Sequence, residues 1–211
     1  MTTARTPNYR LVGAVAILVA TVLAVALVQG WGRDGSRARA DQPAVSATRP
    51  ATTPAAVELG GTDLAYLQLM VPMNDSALAF FSYLDTSEAA PPALRDLAGR
   101  LAGTHRAEVG EMRSLLAAGN VVEENIHEGH QMPGMVTESR VADLKQAPAA
   151  EFATRAATLV REHLAQSVLL SKGEQESGGS DQVRALAAGV ERARNAELAE
   201  LAALPGGSAA G

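Results

Sequence analysis

The sequence predicts an all-α protein: a four-helix bundle made of two repeated helical hairpins, preceded by one N-terminal transmembrane or signal helix. Three observations carry this reading. Ala and Leu are abundant while aromatics make up 3% of the chain, a composition that favours helix over strand. Apolar residues recur at helical spacing in four long segments. These segments fall into two helix-loop-helix units of similar pattern, as an internal duplication would leave them.

The N-terminal helix comes first. In residues 1–10 Arg5 and Arg10 precede an uncharged run from Leu11 to Gly30, closed by Trp31 and the basic "GRDGSRAR". At ~1.5 Å per residue this run is long enough for a ~30 Å hydrocarbon core, with Trp31 at the interface. "AVA" at Ala24 to Ala26 also matches a signal-peptidase site. An uncleaved signal anchor and a cleaved signal peptide both fit, and the continuation of the apolar run past that site favours the anchor. Either delivers the remainder to the extracytoplasmic side, as a single-pass cell-membrane protein or, if the signal is cleaved, a secreted one. Residues 31–61, rich in Pro, Ala and Thr without periodicity, read as an extended tether.

The bundle is expected over residues 62–204. Thr62 before "DLAYLQLM" reads as an N-cap with an acid in the first turn. The first helix carries the stripe Tyr66, Met70, Met73, Ala77, Phe80 or Phe81, and Leu84, with Pro72 expected to kink it. "EAAPPAL" ends it. A second helix runs from Pro92 to Ala118 on Leu94, Ala98, Leu101, His105, Glu108, Met112 and Leu116, and stops at Gly119. After an irregular stretch to Met135, a short helix in "TESRVADLKQ" ends before Pro148. A third long helix spans Ala149 to Lys172 with Phe152, Ala156, Leu159, His163, Ser167 and Leu170 in register. "GEQESGGS" reads as a loop. The fourth spans Asp181 to Leu204 on Val183, Leu186, Val190, Leu198 and Leu201, and residues 205–211 form a frayed tail. Two hairpins joined by a longer connection make a four-helix bundle. Placing Asp63 over Glu151 aligns the repeats, with Ala77 over Ala165.

Charge divides along the chain. Residues 1–58 carry six Arg and three acids, a balance of +3, and residues 59–211 carry twelve basic and twenty acidic residues, a balance of −8, which together give the net −5. An acidic domain without a basic stripe argues against nucleic acid as a partner. It suits a solvated domain and a cation binder equally. The chain has no cysteine, so disulfides, thiolate metal sites and thiol nucleophiles are excluded. No glycine-rich phosphate loop, nucleophile elbow or other enzymatic constellation is present, and the chain reads as no enzyme.

Asp63, "LMVP" seven residues on, Ala77, "LAGRLAGTHRAEVGEM" and "MPGMVTESRVADL", followed by a weaker second copy, together resemble the bacterial family called domain of unknown function 305. The resemblance covers residues 62–204, and "MPGM" with the short acidic helix after it is its most specific piece. It implies a ferritin-like four-helix fold, export and, in some members, copper binding. Members characteristically carry a His-His pair after "MIP" in the first repeat and another in the second. Here Met73 and Asn74 hold the first pair's positions, and Arg161 and Glu162 the second's, with His163 one residue later. The family's Q-x-x-E-I-x-x-M reads His105, Glu108, Val109, Met112, and then Arg194, Glu197, Leu198, Leu201. This makes the chain a degenerate member that lacks the paired histidines.

The densest chemistry is "NIHEGHQMPGM", which holds two of the chain's four histidines and two of its six methionines. Pro133 and Gly134 fit the centre of a type II turn, which draws Met132 and Met135 together. Thioethers with His130 and His127 suit Cu(I), a soft ion, far better than Mg²⁺ or Ca²⁺. The plainer alternative is that both methionines plug the bundle end. Met70 and Met73, at i and i+3, form a second candidate pair whose ordinary role is core. His105, Glu108 and Met112 share a face, but at ~1.5 Å rise His105 and Met112 lie too far apart for one ion. The alternative for His105 and Glu108 is a buried polar pair satisfied across the bundle, with His163 as partner or as a separate core histidine. A ferritin-like di-iron site needs Glu-x-x-His, which "EHLAQ" and "THRAE" lack.

Two functions are therefore expected to compete. One is a membrane-tethered extracytoplasmic bundle that binds or buffers copper. The other is a metal-free bundle that serves as a structural or interaction domain, meeting an envelope protein or a second copy of itself.

Overall fold

A computed structural model of the chain describes residues 57–125, 129 and 132–205. The N-terminal apolar run and the tether up to residue 56 lie outside these residues, as do His127 and His130, while the tether's last residues, 57–61, lead into the first helix. Among the described residues no helix is long and apolar enough to cross a membrane, and no strand occurs.

Five helices follow in order: α1 Gly61–Thr86, α2 Pro92–Ala118, α3 Glu138–Lys145, α4 Ala149–Ser177 and α5 Asp181–Ala203. α1 pairs with α2 and α4 with α5, and these hairpins meet through α1 on α4 and α2 on α5, while α3 lies on α4. The stripes read from the sequence face inward: Tyr66, Met70, Met73, Ala77, Phe80, Phe81 and Leu84 are all buried, as are Leu94, Ala98, Leu101, Met112 and Leu116. Tens of buried apolar groups of this kind, each contributing ~1.5–3 kcal/mol on burial, hold the hairpins together.

The helix ends show how local chemistry sets the frame. α1 starts two residues earlier than Thr62 predicts, with Gly60 as N-cap. Its first turn is closed from inside, because the Asp63 carboxylate accepts the Gly60 N–H at 2.6 Å. The same carboxylate accepts the Gly179 and Ser180 N–H groups, each at 3.0 Å, so one side chain caps two helix starts. α1 then runs on through Pro72 without a break. Pro at N1 starts α2. Its exit turns on Asn120, at φ 55, rather than on Gly119. Gly119 is required for space instead, since a Cβ there would stand 2.6 Å from the Leu59 side chain.

α4 corrects the sequence reading by five residues: it continues past Lys172 to Ser177. An inward contact holds the extra turn, Gln175 bonded to Glu191 at 2.7 Å, just beyond the bond of Ser171 to the Tyr66 hydroxyl at 3.0 Å. Glu174 is buried against Asp63. Burial, reinforced by the neighbouring Asp63 carboxylate, pushes the Glu174 carboxyl up to about 8. Glu174 is therefore the protonated partner of this acid pair. Burial would raise Asp63 as well, but the N–H groups of Ser180, Gly60 and Gly179 carry it below its ordinary value.

The repeats align differently from the sequence reading. Ala77 is fully buried while Ala165 is exposed, so Asp63 does not fall over Glu151. Two residues further, Met70, Met73, Asn74 and Ala77 fall on Val160, His163, Leu164 and Ser167, all buried. His163 thus takes the position of Met73. In the second helices Leu94, Ala98, Leu101, His105 and Met112 fall on Val183, Ala187, Val190, Arg194 and Leu201, again all buried.

Candidate functional site

The "MPGM" turn forms as its residues require. Gly134 sits at φ 76, and the Met135 N–H reaches the Met132 carbonyl at 3.2 Å. The turn lies flat on α4, where a Cβ on Gly134 would stand 2.4 Å from the Gln166 Cβ. Met135 is buried, and its Sδ accepts the Ser76 hydroxyl at 3.3 Å. Met132 packs half-buried on the same apolar cluster. Met135 thus lies within the apolar packing and Met132 at its edge, and an open cleft of about 960 Å³ lined by Pro72, Ser76, Phe80, Tyr83 and Met135 lies beside the turn.

The turn also reaches into the core, because the Gly134 carbonyl accepts the Nδ1–H of His163 at 3.2 Å. His163 on α4 meets His105 on α2 with their Nε2 atoms 3.1 Å apart, and His105 Nδ1–H donates to the Leu101 carbonyl at 2.8 Å. Both rings are fully buried. Phe81 stands nearly perpendicular to each, at 4.9 Å from His105 and 5.9 Å from His163. Burial, then the nearby Arg194 charge, hold His163 down to about 3 and place His105 well below its ordinary value, so both rings are neutral at physiological pH.

A second polar cluster is built around Arg194 on α5, which is fully buried. Its guanidinium bonds Glu197 at 2.9 Å, Asn74 at 3.4 Å and Glu108. Asn74 in turn donates to the Met70 carbonyl at 2.7 Å. Burial raises both carboxyls against the pull of Arg194, and Glu197 is pushed up to about 7.

These positions redistribute the residues singled out from sequence. His105 does find a cross-bundle partner in His163, but Glu108 turns to Arg194 instead of either neighbour on its face. Met70, Met73 and Met112 lie fully inside the core, and all three belong to the apolar cluster that also holds Met135. His127 and His130 lie outside the described residues. Among the described residues no group of three or more His, Asp or Glu is arranged to hold a metal ion. Arg194, Glu197 and Asn74 were not read as interior, although Arg194 falls four residues after Val190 on the fourth stripe, a place where a charge signals a buried partner.

Two helical hairpins with polar side chains meeting across an otherwise apolar interior define an all-helical bundle with a polar centre. The chain belongs to the DUF305 family (Domain of unknown function), whose model matches residues 63–204. Two solved structures share the fold. One is a DUF305 protein from Streptomyces coelicolor, provisionally described as secreted, with 21% identity, a TM-score of 0.56, and 64% of this chain and 86% of that one covered. The other is a DUF305 fragment from Deinococcus radiodurans, with 18% identity, a TM-score of 0.56, and 66% and 91% covered. No curated protein matches the chain significantly.

Proposed function

We propose that this is a non-enzymatic extracytoplasmic bundle, tethered through its N-terminal apolar run, that binds or buffers a soft metal ion, Cu(I) foremost. The observation that carries the reading is the closed turn that brings the Met132 and Met135 backbones together beside an open cleft. Thioethers, joined by His130 and His127 from the same segment, form a neutral, soft donor set that fits Cu(I) and suits no hard ion. The Ser76 bond uses only part of the Met135 sulfur's capacity. Location outside the cytoplasm is supported by the basic residues and apolar run at the N-terminus, and by the Streptomyces coelicolor neighbour.

Anaerobic Cu(I) titration of the full-length chain against a competing chelator tests this, with a thermal melt alongside. Met132→Leu with Met135→Leu is expected to keep the helix content and lose one bound equivalent. Unchanged stoichiometry and affinity would overturn the role of the turn. A second reading, a metal-free interaction domain for an envelope protein or a second copy, is favoured by Arg194, whose guanidinium fills the space between Glu108 and Glu197 where an ion would otherwise sit. Its mark is a folded chain that takes up no metal.

A further inference from the structure

We infer that the His105–His163 pair is itself a binding site for one soft monovalent cation, held between the two Nε2 atoms and independent of the turn thioethers. The argument is a count of protons. From the Leu101 carbonyl through His105 and His163 to the Gly134 carbonyl run three polar contacts, of 2.8, 3.1 and 3.2 Å. Each joins two atoms that carry lone pairs, so each needs a proton or a cation between them. Two neutral imidazoles bring two protons. Because carbonyls only accept, those protons sit on the Nδ1 atoms, and the Nε2 lone pairs face each other with nothing between them. Any other choice of tautomer moves the gap to a carbonyl without closing it. A buried polar contact left open in this way is costly.

A third proton would close the chain, but burial and Arg194 disfavour an imidazolium here at neutral pH. A monovalent metal ion takes the same lone pairs and meets the same opposition from burial and Arg194, so it must be held by its two metal–nitrogen bonds, which a soft ion forms strongly with imidazole. With ~2.0 Å metal–nitrogen bonds the 3.1 Å gap subtends ~100° at the ion, a bent arrangement with room for a further ligand. A linear two-coordinate ion needs the Nε2 atoms ~4 Å apart, an outward move of under ~1 Å against the longer Gly134 bond. The donors are neutral nitrogens and no carboxylate bonds either ring; the charges near them are Arg194 and the Glu108 and Glu197 carboxylates already bonded to it. A single charge costs less to bury than a double one, and imidazole donors without oxygen select a soft ion such as Cu(I) or Ag(I).

The chain has four histidines, so His127→Ala with His130→Ala leaves the pair as the only imidazoles in the full-length protein. Nitrogen-15 NMR of this variant at pH 7 is expected to show two protonated Nδ1 and two bare Nε2 atoms, and one equivalent of Ag(I) is expected to shift both Nε2 signals. The same shift should appear with Met132→Leu and Met135→Leu added, which separates this site from the turn. A proton found on either Nε2, Nε2 signals unmoved by Ag(I), or a shift abolished by the two methionine changes would each overturn the inference. A normal shift here with no loss of metal in the methionine variant would instead remove the turn from the site while leaving the pair.

Discussion

His105 and Arg194 stand at equivalent places in the two repeats, and the interior around each is built in opposite ways. Around Arg194 the charge is fixed: a guanidinium that cannot lose its proton is closed in by Glu108, Glu197 and Asn74. Around His105 no charge is fixed, and two neutral rings face each other across one open contact. A bundle core can carry a cation as part of its own chain or leave a place that needs one. This chain does the first at Arg194 and, on the inference drawn above, the second at His105 and His163.

The comparison can be broken from its stronger side. Arg194→Met leaves one buried and one half-buried carboxylate without their cation, and urea denaturation at pH 7 is expected to show a loss of ~3 kcal/mol. Adding Glu108→Gln and Glu197→Gln should recover much of it. A loss below ~1 kcal/mol would mean that the guanidinium is not what holds those carboxyls inside. A smaller effect, with a definite pH sign, belongs to the Asp63–Glu174 pair. The unfolded chain releases the Glu174 proton near 4.5, and the folded chain keeps it to about 8, so the folded state loses stability as pH climbs between those values. Glu174→Gln keeps the side chain's shape, removes its titrating proton and should flatten that slope, measured as denaturation midpoints from pH 5 to 8. An unchanged slope would place the titration elsewhere. The smallest effect is expected at Arg100 and Glu200, 2.9 Å apart and both more than half exposed, which link α2 to α5 in solvent as Arg194 does inside. Glu200→Gln should cost under ~0.5 kcal/mol, and less at high salt.

Much of this architecture was legible in the residues. Pro92 and Gly119 bracket α2 as predicted, although the left-handed residue at the exit is Asn120 and Gly119 gives room to Leu59; Pro at N1 acts locally. Pro133-Gly134 gave the turn for the same reason, and the inward phase of both helices made His105 and His163 candidates for contact. The misreadings have a common physical origin. Gly60 displaced Thr62 as cap because the cap's donor is satisfied by Asp63 from within the helix, not by the capping side chain. Residues 173–177 looked like a loop because Glu and Gln there read as solvated; their partners, Asp63 and Glu191, are distant in sequence. Arg194 and Glu197 were passed over for that reason too, since only a partner on another helix makes a charge tolerable inside. The repeat register slipped by two residues because Ala77 and Ala165 match in identity, whereas burial, which decides the phase, is not written in a single alanine.

Asp63 has a mechanical consequence. Any pull on the chain upstream of Val57 arrives at Gly60, whose N–H is held by a carboxylate that also grips Gly179 and Ser180, 116 and 117 residues further on. Upstream of it, Val57 is bonded to the Ala118 carbonyl at 3.3 Å and Leu59 is seated on Gly119. Tension therefore passes at once into the ends of α2, α4 and α5 instead of peeling α1 from its neighbours, and the bundle meets it as a single clamped unit.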